Sequence, residues 1–458
     1  MALSLSRAGD SPAALRLWHI LMTLALAVVT YRIASLAAGE EESLLAALLL
    51  TTQQVLVWSL APKQDIPLTL FLSLALYSYL LYRGSGRTRA ALAVGLWAAL
   101  AVLTKGQAAL GAFVLIVGAD LLIAWRLSAP GHWRWAQAAA GAGVFLLVAA
   151  PWFIYGILHQ GRPFVETFFL QQSNAWRFFR GLGVPQPYWI GLLAYIPLVI
   201  AAVLPWPGLL PGAIQEGWRS LRGGAAPLQL CLVWALVVFL VLSLVPGTKS
   251  IRYLLPLYPP VAILSAHYLI NVIDTPRGLR SLAAVLATLW LPALVAAAGL
   301  GFGRDSPEFR VYFPPVVVFT AVVIGFLLAV RWRRGRLAVA VLAAGTFVTF
   351  SVFAWTSTRD YARRWLWPLQ TAATEIERRY QPGDRVFIVG PLTEGSIVNY
   401  YLKGPEMVST DEATLRRAWS QRGVLALLAP EVYRKVAVDL HPTTLMETPT
   451  GLVLVTNR

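Results

Sequence analysis

Long apolar runs cut by short polar stretches fill the chain as far as about residue 356, after which the pattern changes. Each run is roughly 17–25 residues long, the length a helix needs to cross the hydrocarbon core of a bilayer. The expected spans cover 15–37, 43–60, 66–82, 88–104, 106–126, 135–158, 188–212, 228–246, 253–273, 280–302, 313–330 and 337–356, about twelve in all. The shortest break lies between the fourth and the fifth. Only Thr104-Lys105-Gly106 separates them, which predicts a helical hairpin with Lys105 at its tip.

Residues 357–458 alternate on a shorter period. Asp384 to Gly390, Val424 to Leu428 and Leu452 to Val455 are short apolar runs bounded by turn residues and read as strands. Ser396 to Leu402 and Asp411 to Trp419 read as helices. Strands alternating with helices predict a small α/β domain. The expected fold is an α-helical polytopic membrane protein, with a transmembrane domain over 1–356 and a C-terminal α/β domain over 357–458.

Arginine positions orient the spans. Arg83, Arg87 and Arg89; Arg126 and Arg134; Arg219 and Arg222; Arg277 and Arg280; and Arg331, Arg333, Arg334 and Arg336 all fall in breaks on one side. The positive-inside rule makes that side cytoplasmic. The loop carrying Glu40, Glu41 and Glu42 falls on the same side without that bias. The opposite side receives the Gln64-Asp65 turn, the Lys105 tip, the loops 159–187, 247–252 and 303–312, and the C-terminal domain. The expected location is the cytoplasmic (inner) membrane, multi-pass, with the C-terminal domain extracytoplasmic. The same orientation places the first residue outside.

Composition agrees with a bilayer environment: 57% of residues are hydrophobic and 13% charged, against about 25% charged in soluble domains. The formal charge of +16 is explained by arginines in short loops and implies no nucleic-acid partner. The single Cys231 lies in an apolar run, which excludes an intrachain disulfide. The first apolar run is too long for the core of a cleavable signal peptide.

Against this frame the cations on the outer face stand out, because charge near hydrocarbon is costly and points to function. Lys105 caps the hairpin; Lys249, Arg252 and Tyr253 follow in Thr248-Lys249-Ser250-Ile251-Arg252-Tyr253; and Arg177 stands among aromatics in Trp176-Arg177-Phe178-Phe179. Cations with aromatics beside them at a membrane surface suit a lipid phosphate. Plainer readings exist for each. A lysine at a hairpin tip can snorkel, an arginine between aromatics can be a structural stack, and Asp65 before Ile66-Pro67 can cap a helix. His159 and Glu166 are candidate metal ligands, but one His and one Glu seven residues apart do not make a site on their own. The cofactor is left open, a divalent cation being the candidate.

These segments together resemble the GT-C class of polytopic glycosyltransferases, in particular the bacterial protein-mannosyltransferase and lipid A aminoarabinose-transferase-like group. The resemblance rests on Asp65-Ile66-Pro67 opening a span, Leu103-Thr104-Lys105-Gly106, and Pro151-Trp152 followed by Arg162-Pro163-Phe164 and Arg177-Phe178. It continues with Pro205-Trp206, with Thr248-Lys249 leading to Tyr253-x-Leu255-Pro256-x-x-Pro259, and with Tyr400-Tyr401-Leu402. It implies transfer of a sugar from a polyprenyl phosphate to a glycolipid, glycan or protein acceptor at the outer face. Lys105, Arg177, Lys249, Arg252 and Tyr253 would then lie near the donor phosphate.

The resemblance also implies one further span and an outer loop with an acidic pair ahead of the matching segments. Nothing before Ser11 matches them, so the expectation is that the recorded start lies downstream of the true one and that the main catalytic carboxylate is missing here. Asp65 is then the candidate carboxylate at hand. Asn174 stands where the aminoarabinose branch places a metal-binding His, which argues against a metal there. Two other functions compete: a non-catalytic lipid-binding homologue, and a transporter or flippase for a lipid-linked saccharide. The chain shows no duplicated halves of the kind common in transporters.

Overall fold

The computed structural model describes residues 12–51, 55–59, 63–127, 132, 134–166, 188–223, 225–244, 250–275, 278, 283, 307–390, 398–421, 423–449 and 451–458. The first helices are α1 (Pro12–Ala34), α2 (Glu40–Thr51), α3 (Val55–Ser59), α4 (Asp65–Ser85), α5 (Thr88–Lys105), α6 (Gln107–Arg126) and α7 (Trp135–Gln160). A single turn, α8 (Arg162–Val165), follows, then α9 (Tyr188–Ala202), α10 (Leu210–Gly223), α11 (Ala226–Leu244) and α12 (Tyr258–Val272). The last two long helices are α13 (Pro307–Arg331) and α14 (Gly335–Tyr361).

Among the described residues nine helices are long and apolar enough to cross a membrane, or up to ten if a bent pair is one span. Large apolar side chains such as Leu122, Leu147, Leu158 and Ile324 are exposed on them, as expected where the solvent is lipid. The chain is a multi-pass membrane protein.

The bent pair falls on the span expected over 188–212 and breaks it. Leu193–Ala202 and Pro207–Arg222 meet at 114°. Pro205 and Pro207 cause the break, since proline has no N–H to donate and pushes the residue before it out of helical geometry. Two other expected spans are not counted among the nine. Over 43–60 helix is described only as α2 and α3, and 280–302 lies outside the described residues apart from 283.

The chain divides into two compact units. The first comprises Met1–Phe302 and Phe313–Val352, the second Gly303–Tyr312 and Phe353–Arg458. In the first unit α5 lies close against both α4 and α7. A Cβ on Gly95 would overlap the carbonyl of Gly141, and one on Gly141 the carbonyl of Ala91. Small residues at both positions therefore let α5 and α7 touch backbone to backbone, which is how helices gain packing energy where lipid removes the hydrophobic drive.

One carboxylate is wholly enclosed in this bundle. Asp120 on α6 accepts from Arg83 Nη1 at 2.7 Å and from the Tyr79 hydroxyl at 2.6 Å through Oδ2, and from Gln229 Nε2 at 2.8 Å through Oδ1. The cluster ties α4, α6 and α11 together with its charge paired and both oxygens occupied. Two acids of the stretch that lacks arginine bias also find partners in space. His267 Nδ1 lies 2.8 Å from Glu42, and Arg336 Nη2 3.3 Å from Glu41.

In the second unit α14 runs through a π-helical stretch, Ala362–Leu366, into α15 (Trp367–Arg379). Strands β1 (Arg385–Val389), β2 (Met407–Ser409), β3 (Val424–Leu428), β4 (Thr443–Glu447) and β5 (Val453–Thr456) form one sheet ordered β2-β1-β3-β5-β4. The pairs β1–β2 and β1–β3 are parallel, and β3–β5 and β4–β5 antiparallel. Helices α16 (Glu412–Trp419) and α17 (Pro430–Leu440) supply core residues on one face and α15 on the other. Asp411 caps α16, accepting from Thr414 N–H at 2.8 Å. Hydrogen bonding with Thr414, through its side chain first and then its N–H, holds the Asp411 carboxyl below its usual range.

The Asp120 cluster is expected to be a main support of the bundle. Arg83→Ala leaves a buried carboxylate without its cation, at a cost of about 3–5 kcal/mol. Arg219→Ala cuts only the exposed pair with Glu216, worth about 0–1 kcal/mol. Thermal unfolding in detergent should show a clear fall in Tm for the first variant and none for the second; equal shifts would contradict the assignment.

Candidate anion site

Helix α4 begins at Asp65 after the Lys63–Gln64 turn, with Pro67 in its first turn, where a missing N–H costs nothing. Gln64, not Asp65, holds the N-cap position, and no side chain caps the helix. The Asp65 side chain, 8% exposed, is free to do something else: its Oδ1 accepts a hydrogen bond from Lys105 Nζ. Lys105 is the last residue of α5. Gly106 adopts a positive φ of 64°, and its N–H returns to the Val102 carbonyl at 2.6 Å before α6 starts at Gln107. The hairpin expected from the sequence is present, and its tip cation points to a carboxylate rather than to bulk solvent.

A third segment completes the cluster. Ile251–Leu257 forms a 3₁₀ stretch ahead of α12. The Tyr253 ring takes Lys105 Nζ at 4.8 Å from its centroid and Arg252 Cζ at 5.1 Å. Arg252 Nη2 also donates to the Tyr253 hydroxyl at 3.3 Å, and Arg252 lies within the electrostatic reach of Asp65. The Arg252 Nε–H is buried and has no hydrogen-bond partner among the described residues.

Two cations thus lie against one aromatic ring and near one carboxylate. The sum is a net positive charge, with a buried guanidinium donor still to be satisfied. Such a set is suited to hold an anion. Beside it Trp58, Lys63, Asp65, Ile66 and Leu255 close around a crevice too narrow to admit a water molecule.

Of the residues expected from the sequence, Asp65, Lys105, Arg252 and Tyr253 come together here. Lys249 and Arg177 lie outside the described residues. The candidate metal ligands are engaged elsewhere: Glu166 accepts from Arg162 Nε at 2.5 Å, and His159 stacks on Tyr155 while its Nδ1 donates to the Tyr155 carbonyl at 3.0 Å. Among the described residues no group of three His, Cys, Asp or Glu side chains is gathered for a metal. Sequence reading missed Trp58, which sits in an apolar run and gives no periodic signal. It also missed His19, buried on α1, whose Nε2–H donates to the Lys63 carbonyl at 3.1 Å and steadies the turn before Asp65.

Residues 1–155 match the family described as dolichyl-phosphate-mannose-protein mannosyltransferase. The chain is 30% identical over 302 residues to an undecaprenyl phosphate-alpha-4-amino-4-deoxy-L-arabinose arabinosyl transferase from Aeromonas salmonicida, an alignment covering 61% of this chain and 52% of the relative. A protein of the same description from Serratia proteamaculans is 27% identical over 368 residues, covering 78% of this chain and 60% of the relative. The chain thus spans roughly half to three-fifths of the length of these relatives. The crystal structure of ArnT from Cupriavidus metallidurans bound to undecaprenyl phosphate superposes with a TM-score of 0.81 at 21% identity, covering 100% of this chain and 86% of that one. The apo form of the same protein gives 0.80. The fold is that of this crystallised ArnT, as the resemblance drawn from the sequence motifs implies.

The Asp65–Lys105 contact makes a direct chemical prediction. With its ammonium held by the carboxylate, Lys105 should react slowly with an amine-acylating reagent, and Asp65→Asn should raise that rate. Peptide mass spectrometry of the labelled protein reads it out. Equal labelling in the two proteins would mean that the pair does not form in solution.

Proposed function

We propose that the chain is a glycosyltransferase that moves a sugar from a polyprenyl-phosphate donor to an acceptor at the outer face of the cytoplasmic membrane. The observation that carries this reading is the pair of cations, Lys105 and Arg252, over one Tyr253 ring beside the Asp65 carboxylate. Relatives named for transfer from undecaprenyl phosphate, and a fold shared with a protein crystallised with undecaprenyl phosphate, support the choice of donor. In this reading Lys249 and Arg177 add to the phosphate site, residues 1–356 form the catalytic transmembrane domain with 159–187 as an outer loop, and residues 357–458 form an extracytoplasmic domain.

The reaction breaks the bond between the anomeric carbon and the phosphate oxygen and joins that carbon to an acceptor hydroxyl. Polyprenyl phosphate departs with an added negative charge, and the acceptor loses a proton. Lys105 and Arg252 counter the charge as it grows, which favours the transition state over the bound donor. When the phosphate draws Lys105 away, the Asp65 carboxylate is released to receive a proton from a hydroxyl within reach. The bland alternative, a homologue that binds the lipid without turning it over, keeps the same phosphate site. A flippase would move the intact lipid instead.

Purified protein in proteoliposomes supplied with labelled polyprenyl-phosphate sugars separates the three. Transfer of label to an acceptor with release of polyprenyl phosphate supports the enzyme. Binding without turnover supports the homologue, and movement of intact lipid the flippase. Lys105→Ala, Arg252→Ala and Lys249→Ala are each expected to lower turnover about 10²–10³-fold while leaving the protein folded. Turnover near that of the unaltered protein in all three would remove the phosphate site.

A further inference from the structure

Helix α10 turns away from α9 by 114° at the break around Pro205 and Pro207, so it runs across the bundle rather than along it. Small residues make its inner face. Gly212, Ala213, Gly217 and Ser220 are buried. A Cβ on Gly212 would enter the Tyr268 ring, and one on Gly217 would press on Leu232. Tyr268 lies toward the end of α12 and Leu232 toward the start of α11. Both ends adjoin arginine-bearing breaks, Arg219 and Arg222 before α11 and Arg277 and Arg280 after α12. Helix α10 is therefore laid over the arginine-rich ends of two spans.

Its outer face carries two chemistries. Ile214 is 46% exposed and Trp218 55%, and Pro211, Gln215, Arg219 and Arg222 are exposed as well. By helical spacing Pro211, Ile214 and Trp218 form one flank of that face, and Gln215, Arg219 and Arg222 the other. An open isoleucine and tryptophan beside a row of arginines match a helix lying in the membrane interface, apolar flank toward the acyl chains and basic flank among the headgroups. Arg219 shares its charge with Glu216 at 2.6 Å. Arg222 has no bonded acid among the described residues.

Resting on the reading of the arginine-bearing side as cytoplasmic, we propose that α10 is an interfacial helix that holds the headgroup phosphate of an anionic phospholipid of that leaflet. Arg222 is its principal cation and Arg219 flanks it, since a planar guanidinium pairs with phosphate oxygens through two N–H groups. The Trp218 ring and Ile214 lie against the acyl chains of the same lipid. The bound lipid braces the inner ends of α11 and α12, and the Asp65–Lys105–Arg252 cluster lies before the opposite end of α12.

The test uses the full chain and needs no turnover. Cys231, the single cysteine, is fully buried, so cysteines introduced on α10 can be spin-labelled selectively. In nanodiscs of phosphatidylglycerol and phosphatidylcholine, labels at Ile214→Cys and Trp218→Cys are expected to be relaxed by lipid-dissolved oxygen, and a label at Gln215→Cys by a water-soluble nickel chelate. Both flanks equally open to the chelate would mean that α10 stands clear of the membrane, and overturns the proposal. Native mass spectrometry of protein taken from an equal mixture of the two lipids then reads the headgroup. The unaltered protein is expected to retain phosphatidylglycerol in preference, Arg222→Gln to lower that preference about fivefold, and Arg219→Gln to lower it less. Arg89→Gln, at the exposed start of α5 on the same side, is expected to leave it unchanged. An unaltered preference in Arg222→Gln, or an equal fall in Arg89→Gln, overturns the lipid site while leaving the sugar-transfer reading untouched.

Discussion

A charge inside a bilayer must be matched by another, and in the transmembrane unit two carboxylates meet that constraint in opposite ways. Asp120 is closed: Arg83 neutralises it, and Tyr79 and Gln229 complete its hydrogen bonds. Such a cluster can only support structure. Asp65 sits about 20–27 Å away along α4, by the rise of a helix, and is open. Among the described residues it has one bonded donor, Lys105, and a second cation, Arg252, that shares the Tyr253 ring and keeps an unpaired N–H. Surplus positive charge held in a partly buried place is costly without a ligand, and that surplus is why we propose this end of the bundle as the functional one.

The geometry that brings the open cluster together is mostly helix termini. Asp65 starts α4, Lys105 ends α5, and Arg252 and Tyr253 lie in the 3₁₀ stretch before α12. Termini suit the purpose because backbone groups there are unsatisfied and side chains project toward the membrane surface. The contact of α5 with α7 through Gly95 and Gly141 anchors the helix that carries Lys105. No single segment contains the site, so its charge balance depends on how the spans are packed.

Much of this was legible in the sequence. Among the described residues nine long spans, the Lys105 hairpin and the three buried strands follow from period and run length, and Asp65, Lys105, Arg252 and Tyr253 were all singled out as polar residues in apolar surroundings. What was missed has physical reasons. The kink at Pro205 and Pro207 is hidden because hydropathy alone does not register a bend. Strand β2 has only three residues, and β4 is largely exposed and polar, so neither shows a buried run. Helix α17 opens with Pro430 at its first position, a signal that was present and unused. His19 matters through a hydrogen-bonding atom, which no apolar pattern reveals.

The most direct measurement is an experimental structure of the full chain in a lipid nanodisc with a polyprenyl phosphate bound. The phosphate is expected to sit against Lys105 and Arg252, with the Lys105 ammonium moved from Asp65 to a phosphate oxygen. A phosphate bound elsewhere, with Lys105 still on Asp65, would contradict the assignment of this cluster as the donor site.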